Sequence, residues 1–179
     1  MKRRIDIWSN AGAILSAIQN GVLLTSRADG KTNSMVISWG SLGIEWGMPV
    51  FTAYVRANRF THSLLTANPE FTVNMPMGMP DRRAMSICGS KSGRDMDKIA
   101  EAGLTLVDAE SITVPAIREF PLTLECRVVC AEAQNPALLP PIMQERYYPQ
   151  HVDSAFVGSN RDAHTAFYGE IVDADIIEG

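Results

Sequence analysis

The sequence has little of several things that define common protein classes. It holds three cysteines, Cys88, Cys126 and Cys130, in 179 residues, too few for a disulfide framework. Cys126 and Cys130 fall on one face of an expected strand and read as core thiols. There are three histidines, His62, His151 and His164, far apart in the chain and without zinc-site spacing. Basic charge is in slight deficit: 16 Lys+Arg against 20 Asp+Glu give a net charge of −4. That argues against a surface built for nucleic acid, though it allows a local basic pocket for a phosphate. No apolar run approaches the ~20 residues that span a bilayer. Asp6, Asn10, Gln19 and Asn20 break up the stretch after Met-Lys-Arg-Arg, so no signal-peptide core forms. The expectation is a cytoplasmic protein without a membrane segment. Repeats, low-complexity tracts and linkers are also missing, so a single domain is expected over residues 1–179.

What is present is a series of short β-rich runs. A helix is expected over residues 9–19, with Ile14, Ala17 and Ile18 at helical spacing, capped by Ser9 or Asn10 and stopped by Gly21. Two β-rich runs follow, 21–27 and 33–39. Asp29-Gly30 between them signals a tight hairpin, because both residues tolerate positive φ. Residues 40–49 hold three glycines and read as a loop. Strands are expected at 50–56, 70–75, 122–130 and 165–177, and helices at 60–67, 81–88 and 95–103. In the last helix Met96, Ile99, Ala100 and Leu104 form the apolar stripe. Asp95, Asp97, Lys98 and Glu101 form the solvent face, and Ser92 is the candidate cap. Residues 135–150 hold four prolines and two tyrosines. They read as part of an excursion from the core at about 135–160, with a short helix near 141–146. Many short strands with peripheral helices point to a closed or nearly closed β-barrel. The regular βαβ alternation of a doubly wound sheet is missing.

Common catalytic motifs are missing as well. No G-x-G-x-x-G follows a strand, and there is no P-loop and no H-E-x-x-H. Gly89-Ser-Lys-Ser-Gly93 has the composition of a nucleophile elbow, but Lys91 stands where the nucleophile belongs. Residue spacing alone therefore ends at a small β-barrel with polar loops.

Three segments, taken in order, carry a resemblance. They are Asn33-Ser-Met-Val-Ile-Ser-Trp39; Pro49 to Leu65 with its Arg56-Ala-Asn-Arg59-Phe-Thr61 core, followed by Phe71-Thr-Val-Asn74; and His164-Thr-Ala-Phe-Tyr-Gly169-Glu-Ile-Val. Together with Ser92-Gly-Arg-Asp-Met-Asp-Lys98 they resemble the flavin reductase-like family, which includes the flavoredoxins. That resemblance implies a mainly β fold with peripheral helices (α+β), the FMN-binding split β-barrel. It also implies a homodimer with FMN held near the subunit interface, and NAD(P)H or a redox protein as electron donor. The implied activity is hydride or electron transfer from NAD(P)H through FMN to an acceptor. The alternatives are an electron carrier of the flavoredoxin type and a flavin-binding protein without turnover. Neither nucleic acid nor membrane is expected as a partner.

Candidate site residues follow from the resemblance and from chemistry. Asn33, Ser34, Met35, Ser38 and Trp39 would lie along the flavin ring and ribityl chain. Ser38, among apolar neighbours, should want a hydrogen-bond partner. Gly40 and Ser41 would make phosphate or ribityl contacts from the loop. Arg56, Arg59 and Thr61 are the phosphate candidates, since a guanidinium grips phosphate oxygens as a fork. Asn74 would meet either the cofactor or a neighbouring strand. Ser92 offers a helix cap or a second anion contact. His164 would stand on the nicotinamide or substrate side. His62 reads as structural. No indispensable acid–base residue is expected, because a flavin carries the hard chemistry itself.

Overall fold

The computed structural model describes residues 1–178. Helix α1 (Ile7–Asn20) starts at Asp6, whose carboxylate accepts from the Ser9 amide, so the cap lies three residues earlier than the sequence pattern suggests. Gly21, at φ 97°, ends it as expected. Strands β2 (Val22–Ala28) and β3 (Lys31–Ile37) pair through the Asp29-Gly30 turn, where both residues have positive φ.

The expected loop at 40–49 is instead a second tight hairpin. Strand β4 (Gly40–Glu45) pairs with β5 (Met48–Arg56) across Trp46-Gly47. Those two residues also both have positive φ. Tryptophan is rare at such a position, which is why the turn escapes a sequence reading.

Helix α2 (Phe60–Ala67) leads to β6 (Glu70–Met75). Helix α3 (Arg82–Ser90) is capped by Asp81. Helix α4 is only Lys98–Ala102 and is capped by Asp97; Ser92 belongs to a preceding turn and does not cap it. A small pair, β7 (Leu106–Val107) with β8 (Ala116–Ile117), covers part of the sheet. Strand β9 (Leu122–Ala133) then runs against β10 (His164–Ile177). Between them lie a 3₁₀ turn at Pro136–Leu138 and helix α5 (Pro141–Tyr147).

Eight strands form one antiparallel sheet in the order β3-β2-β6-β9-β10-β5-β4, with β1 (Lys2–Arg4) paired on β10. The barrel is not closed: β3 and β4 are its two free edges. Yet only Ser38 and Trp39 connect them. Three Cα steps of at most 3.8 Å keep Ile37 and Gly40 within about 11 Å of each other. The sheet therefore curls until its edges nearly meet, leaving a split bridged by Ser38-Trp39. Phe51, Phe71, Leu24 and Leu124 fill the interior beneath α1. Ala84, Cys88, Ile99 and Phe120 seal α3 and α4 onto the outer face around Leu23.

A register shift in β9 opposite Tyr168/Gly169 turns its distal half. Cys126 is buried as expected, but Cys130 is exposed beyond the bulge, so it is not a core thiol. Among the described residues no helix is long and apolar enough to cross a membrane.

Candidate functional site

A groove follows the β3 edge and crosses the split. It has three connected depressions. The first, about 480 Å³, lies between β3, the start of α2 and residues 88–98. The second, about 260 Å³, lies over the Ile37–Trp39 step and is walled by Arg59 and His164. The third lies beyond Trp39, under α5.

The first depression holds donors and acceptors with spare capacity. Asn33 is 2% exposed. Its Nδ2 donates to Thr61 Oγ1 at 2.8 Å, while its Oδ1 is buried without a partner. Lys98 is 3% exposed, and its ammonium makes one hydrogen bond, to the Cys88 carbonyl at 3.2 Å. Burial, and to a lesser degree the nearby Arg59 cation, draws its pKa down to about 8, against a weaker upward pull from Cys88.

Lys98 was expected on the solvent face. The stripe counted from Asp95 is out of phase, because the chain turns at 92–97 before the helix begins. Its place in the Ser92–Lys98 motif is the sequence signal that marks it.

Arg59 donates through Nη2 to the carbonyls of Phe156 and Val157, at 3.1 and 2.8 Å. Burial lowers its pKa as well. Helices α2 and α5 both start without a side-chain cap. Asp6 and Asp81 cap α1 and α3, but Arg59 stands at the α2 N-cap and makes no side-chain capping bond. Its first residues, Phe60 and Thr61, line the cationic depression, which brings the positive end of the helix dipole to its wall. Gly93 closes the wall. A Cβ there would lie 2.2 Å from Asn33 Oδ1 and 2.8 Å from Phe60 Cδ1, so only glycine lets this turn pack so closely. Ser92 lines the same wall, and its Oγ accepts from the Arg94 amide at 3.2 Å. Arg94 is exposed and tied to the Asn58 carbonyl at 2.8 Å.

Arg56 behaves differently. It is buried, and its guanidinium donates to the carbonyls of Tyr147, Asn160 and Asp162. Both of its terminal nitrogens are engaged by the backbone of the excursion and of the residues just after it, and the residue also lines the second depression. The 135–160 excursion thus has a role. One part is clamped by Arg56 and Arg59, and another roofs the third depression.

Above the split, Trp39 is 41% exposed and lies against His164, ring centroids 5.0 Å apart. His164 Nδ1 is bonded to the Tyr148 hydroxyl at 2.8 Å. Burial, with Arg56 and Arg59 nearby, pushes the imidazole down to about 4, so it is neutral at physiological pH. Met35 is half-buried and borders both the first and second depressions.

Several expected contacts fall elsewhere. Ser34 and Asn74 are fully enclosed. Ser34 pairs with Thr25 at 2.7 Å, and Asn74 bonds Thr25, Thr72 and the Ile117 amide. They tie the β7–β8 cover to the sheet and reach no cavity. Ser38 is exposed, not a buried serine in search of a partner. Gly40 and Ser41 sit on β4; Gly40 lines the third depression, and neither lines the cationic one. Ser41 bonds the Tyr54 hydroxyl at 3.2 Å, and Gly40 packs on Phe51. His62 is structural as expected, bonded to Thr165 at 2.9 Å.

Known proteins share this architecture. A flavoredoxin from Methanosarcina acetivorans is 28% identical, aligns over 88% of this chain and 68% of its own, and superposes with a TM-score of 0.63. An FMN-binding domain of a flavin reductases-like enzyme from Shewanella baltica is 15% identical. It covers 98% of this chain and 77% of its own at a TM-score of 0.63, a likeness of fold alone. An uncharacterized protein of Archaeoglobus fulgidus is 31% identical over 99 residues, 55% of each chain. The curated relatives from Archaeoglobus fulgidus and Pyrococcus abyssi are thus matched over little more than half their lengths. The model of the flavin reductase like domain matches residues 15–179. With that match spanning nearly the whole chain, on a barrel split beside a cationic groove, the protein belongs to the flavin reductase-like family.

Proposed function

We propose that this protein binds FMN in the groove and passes hydride or electrons from NAD(P)H through it to an acceptor. One observation carries the reading: a nearly buried ammonium with unused hydrogen-bonding capacity, Lys98, shares one cavity with the Arg59 guanidinium and a helix start that has no side-chain cap. Such groups are costly to bury unless a ligand completes them. A phosphate fits, because Lys98, Arg59 and the α2 amides supply charge-assisted donors. Asn33 and Ser92 offer polar contacts for a ribityl chain. Met35, Ser38 and Trp39 line the groove where a flat ring would continue toward the split.

Bound there, the isoalloxazine supplies two-electron chemistry, and the chain supplies position and field. Tyr148 holds the neutral His164 ring in place, leaving Nε2 for a hydrogen bond with no change of charge. Trp39, half exposed beside it, offers an aromatic face for a nicotinamide. FMN-binding flavoproteins of the same fold support the cofactor assignment. A homodimer completes the reading. The β4–β5 hairpin carries the exposed Ile44 and Trp46; the Trp46 ring lies 6.1 Å from Tyr168, whose strand partner Cys130 follows the exposed Val129. An apolar surface of that kind suits a second copy.

The test is a visible spectrum of the purified protein with FMN, then anaerobic addition of NADH or NADPH. The flavin band at about 450 nm should appear on binding and bleach on reduction. Bleaching by neither nicotinamide, with fast reduction by a ferredoxin, would make this an electron carrier. A protein that binds no FMN would end the reading.

A further inference from the structure

We propose that the third depression is a binding site for an uncharged, planar ring compound of the quinone class, serving as the electron acceptor. The chamber measures about 510 Å³ and is walled by Trp39, Tyr54, Tyr147, Tyr148, Leu139 and Met143. That volume lies within the range of small-molecule sites, which are mostly apolar with a few polar groups.

Three features define the ligand. None of the lining residues is charged, whereas Arg59, Lys91, Arg94 and Lys98, with Asp95, all line the first depression. An ion would find no charged partner on these walls. The walls are aromatic and meet at steep angles; Trp39 and Tyr147 stand at 83° with centroids 5.4 Å apart. Edge and face together suit a flat ring. Polar groups are few. The Ser38 hydroxyl and the Gln134 amide join the Tyr54 hydroxyl on the lining, enough to meet one or two carbonyl oxygens. Leu139, Met143, Tyr147 and Tyr148 all come from the excursion, so it is this segment that makes the chamber.

Its position gives the site its use. Ser38, Trp39 and Tyr54 line both this chamber and the second depression. Tyr148 lines the chamber and bonds His164, which lines the second depression. A quinone in the chamber would be one aromatic residue away from the groove. The quinone gains two electrons and two protons and leaves as a hydroquinone; NAD(P)H and one further proton supply them. This deepens the proposed function and rests on it for the electron supply, but the binding itself does not.

Duroquinone is the probe, since every ring carbon is substituted and the exposed Cys130 thiol has no open position to attack. Equilibrium dialysis is run on protein with and without FMN, on the natural chain and on Met143→Glu. Met143 is 39% exposed, so a charge there is tolerated by the fold. Saturable binding is expected, weakened at least about tenfold by Met143→Glu, which places a charge in an apolar chamber. FMN affinity should stay within about twofold, because Met143 is far from the cationic end. Tyr147→Leu gives a second, uncharged perturbation and should also weaken duroquinone.

No saturable binding to protein that does bind FMN overturns the chamber proposal. So does binding that both variants leave unchanged. A Met143→Glu variant that loses a dimer, with no duroquinone binding in the natural chain, would show that a second copy fills the space. Met143-sensitive duroquinone binding in a chain that takes no FMN would sink the flavin reading and leave the chamber standing.

Discussion

Arg56 and Arg59 are three residues apart, yet they lie in opposite kinds of site. Arg56 donates through both terminal nitrogens to three backbone carbonyls, and the side chain binds the excursion to β5. Around Arg59 and Lys98 the polar groups outnumber their partners, and Asn33 Oδ1 has none. Counting cations does not separate these regions. Counting the hydrogen bonds each cation makes does: Arg56 donates to three carbonyls and Lys98 to one, so the Lys98 ammonium keeps donors for a ligand.

The contrast can be tested from its strongest consequence downward. Arg56→Met strands three carbonyls and should cost about 3 kcal/mol or more. A thermal melt should fall by several degrees at ~2–4 °C per kcal/mol. A melt unchanged by this variant would break the distinction between the two regions. Lys98→Met should do the reverse. FMN affinity should fall at least about tenfold as a charge-assisted bond is lost. The melting temperature of the ligand-free protein should hold or rise, because a desolvated charge has been removed. Calorimetry of both variants with and without FMN checks the pair. Arg59→Ala should weaken FMN by more than ~1 kcal/mol, with a smaller loss of stability through the freed Phe156 and Val157 carbonyls.

The pH dependence sharpens the same point. Lys98 titrates near 8 in the ligand-free protein, below its unfolded value. An anion favours its charged form, so binding takes up a proton once the pH exceeds that value. FMN affinity should therefore be flat from about pH 6.5 to 7.5 and decline as pH rises through 8. Lys98→Met should abolish that decline, as read by fluorescence titration at several pH values. The smallest effect is expected at Arg94, which is exposed and already bonded to Asn58. Arg94→Ala should change FMN affinity by less than about threefold, since exposed charge pairs contribute little. A larger loss would move Arg94 into the binding set.

Much of the fold could be read in advance, for local reasons. Asp29-Gly30 announced its hairpin through residues that accept positive φ. The alternation in 122–126 announced a buried strand face, and Gly21 announced the end of α1. The errors arose where local pattern and tertiary context part. Trp46-Gly47 forms a turn that Trp rarely makes, and the β9 bulge reversed the face of Cys130. The helix before Gly103 starts late, and this put Lys98 inside. In the site, Asn33, Arg59, Thr61 and Ser92 line the cationic depression, while Ser34 and Asn74 are enclosed in a network that residue type could not distinguish from ligand contact.

The amino-acid order alone marked most of the long strands and the Asp29-Gly30 turn, because periodicity and positive-φ residues act within a few positions of themselves. It also carried the family's motifs. Which polar groups were left unmatched was decided only when distant segments met: α2 beside residues 88–98, and the excursion beneath Arg56. A side chain's partners are chosen by neighbours far away in sequence, and no local pattern records whether those neighbours supply a carbonyl or leave a vacancy for a ligand.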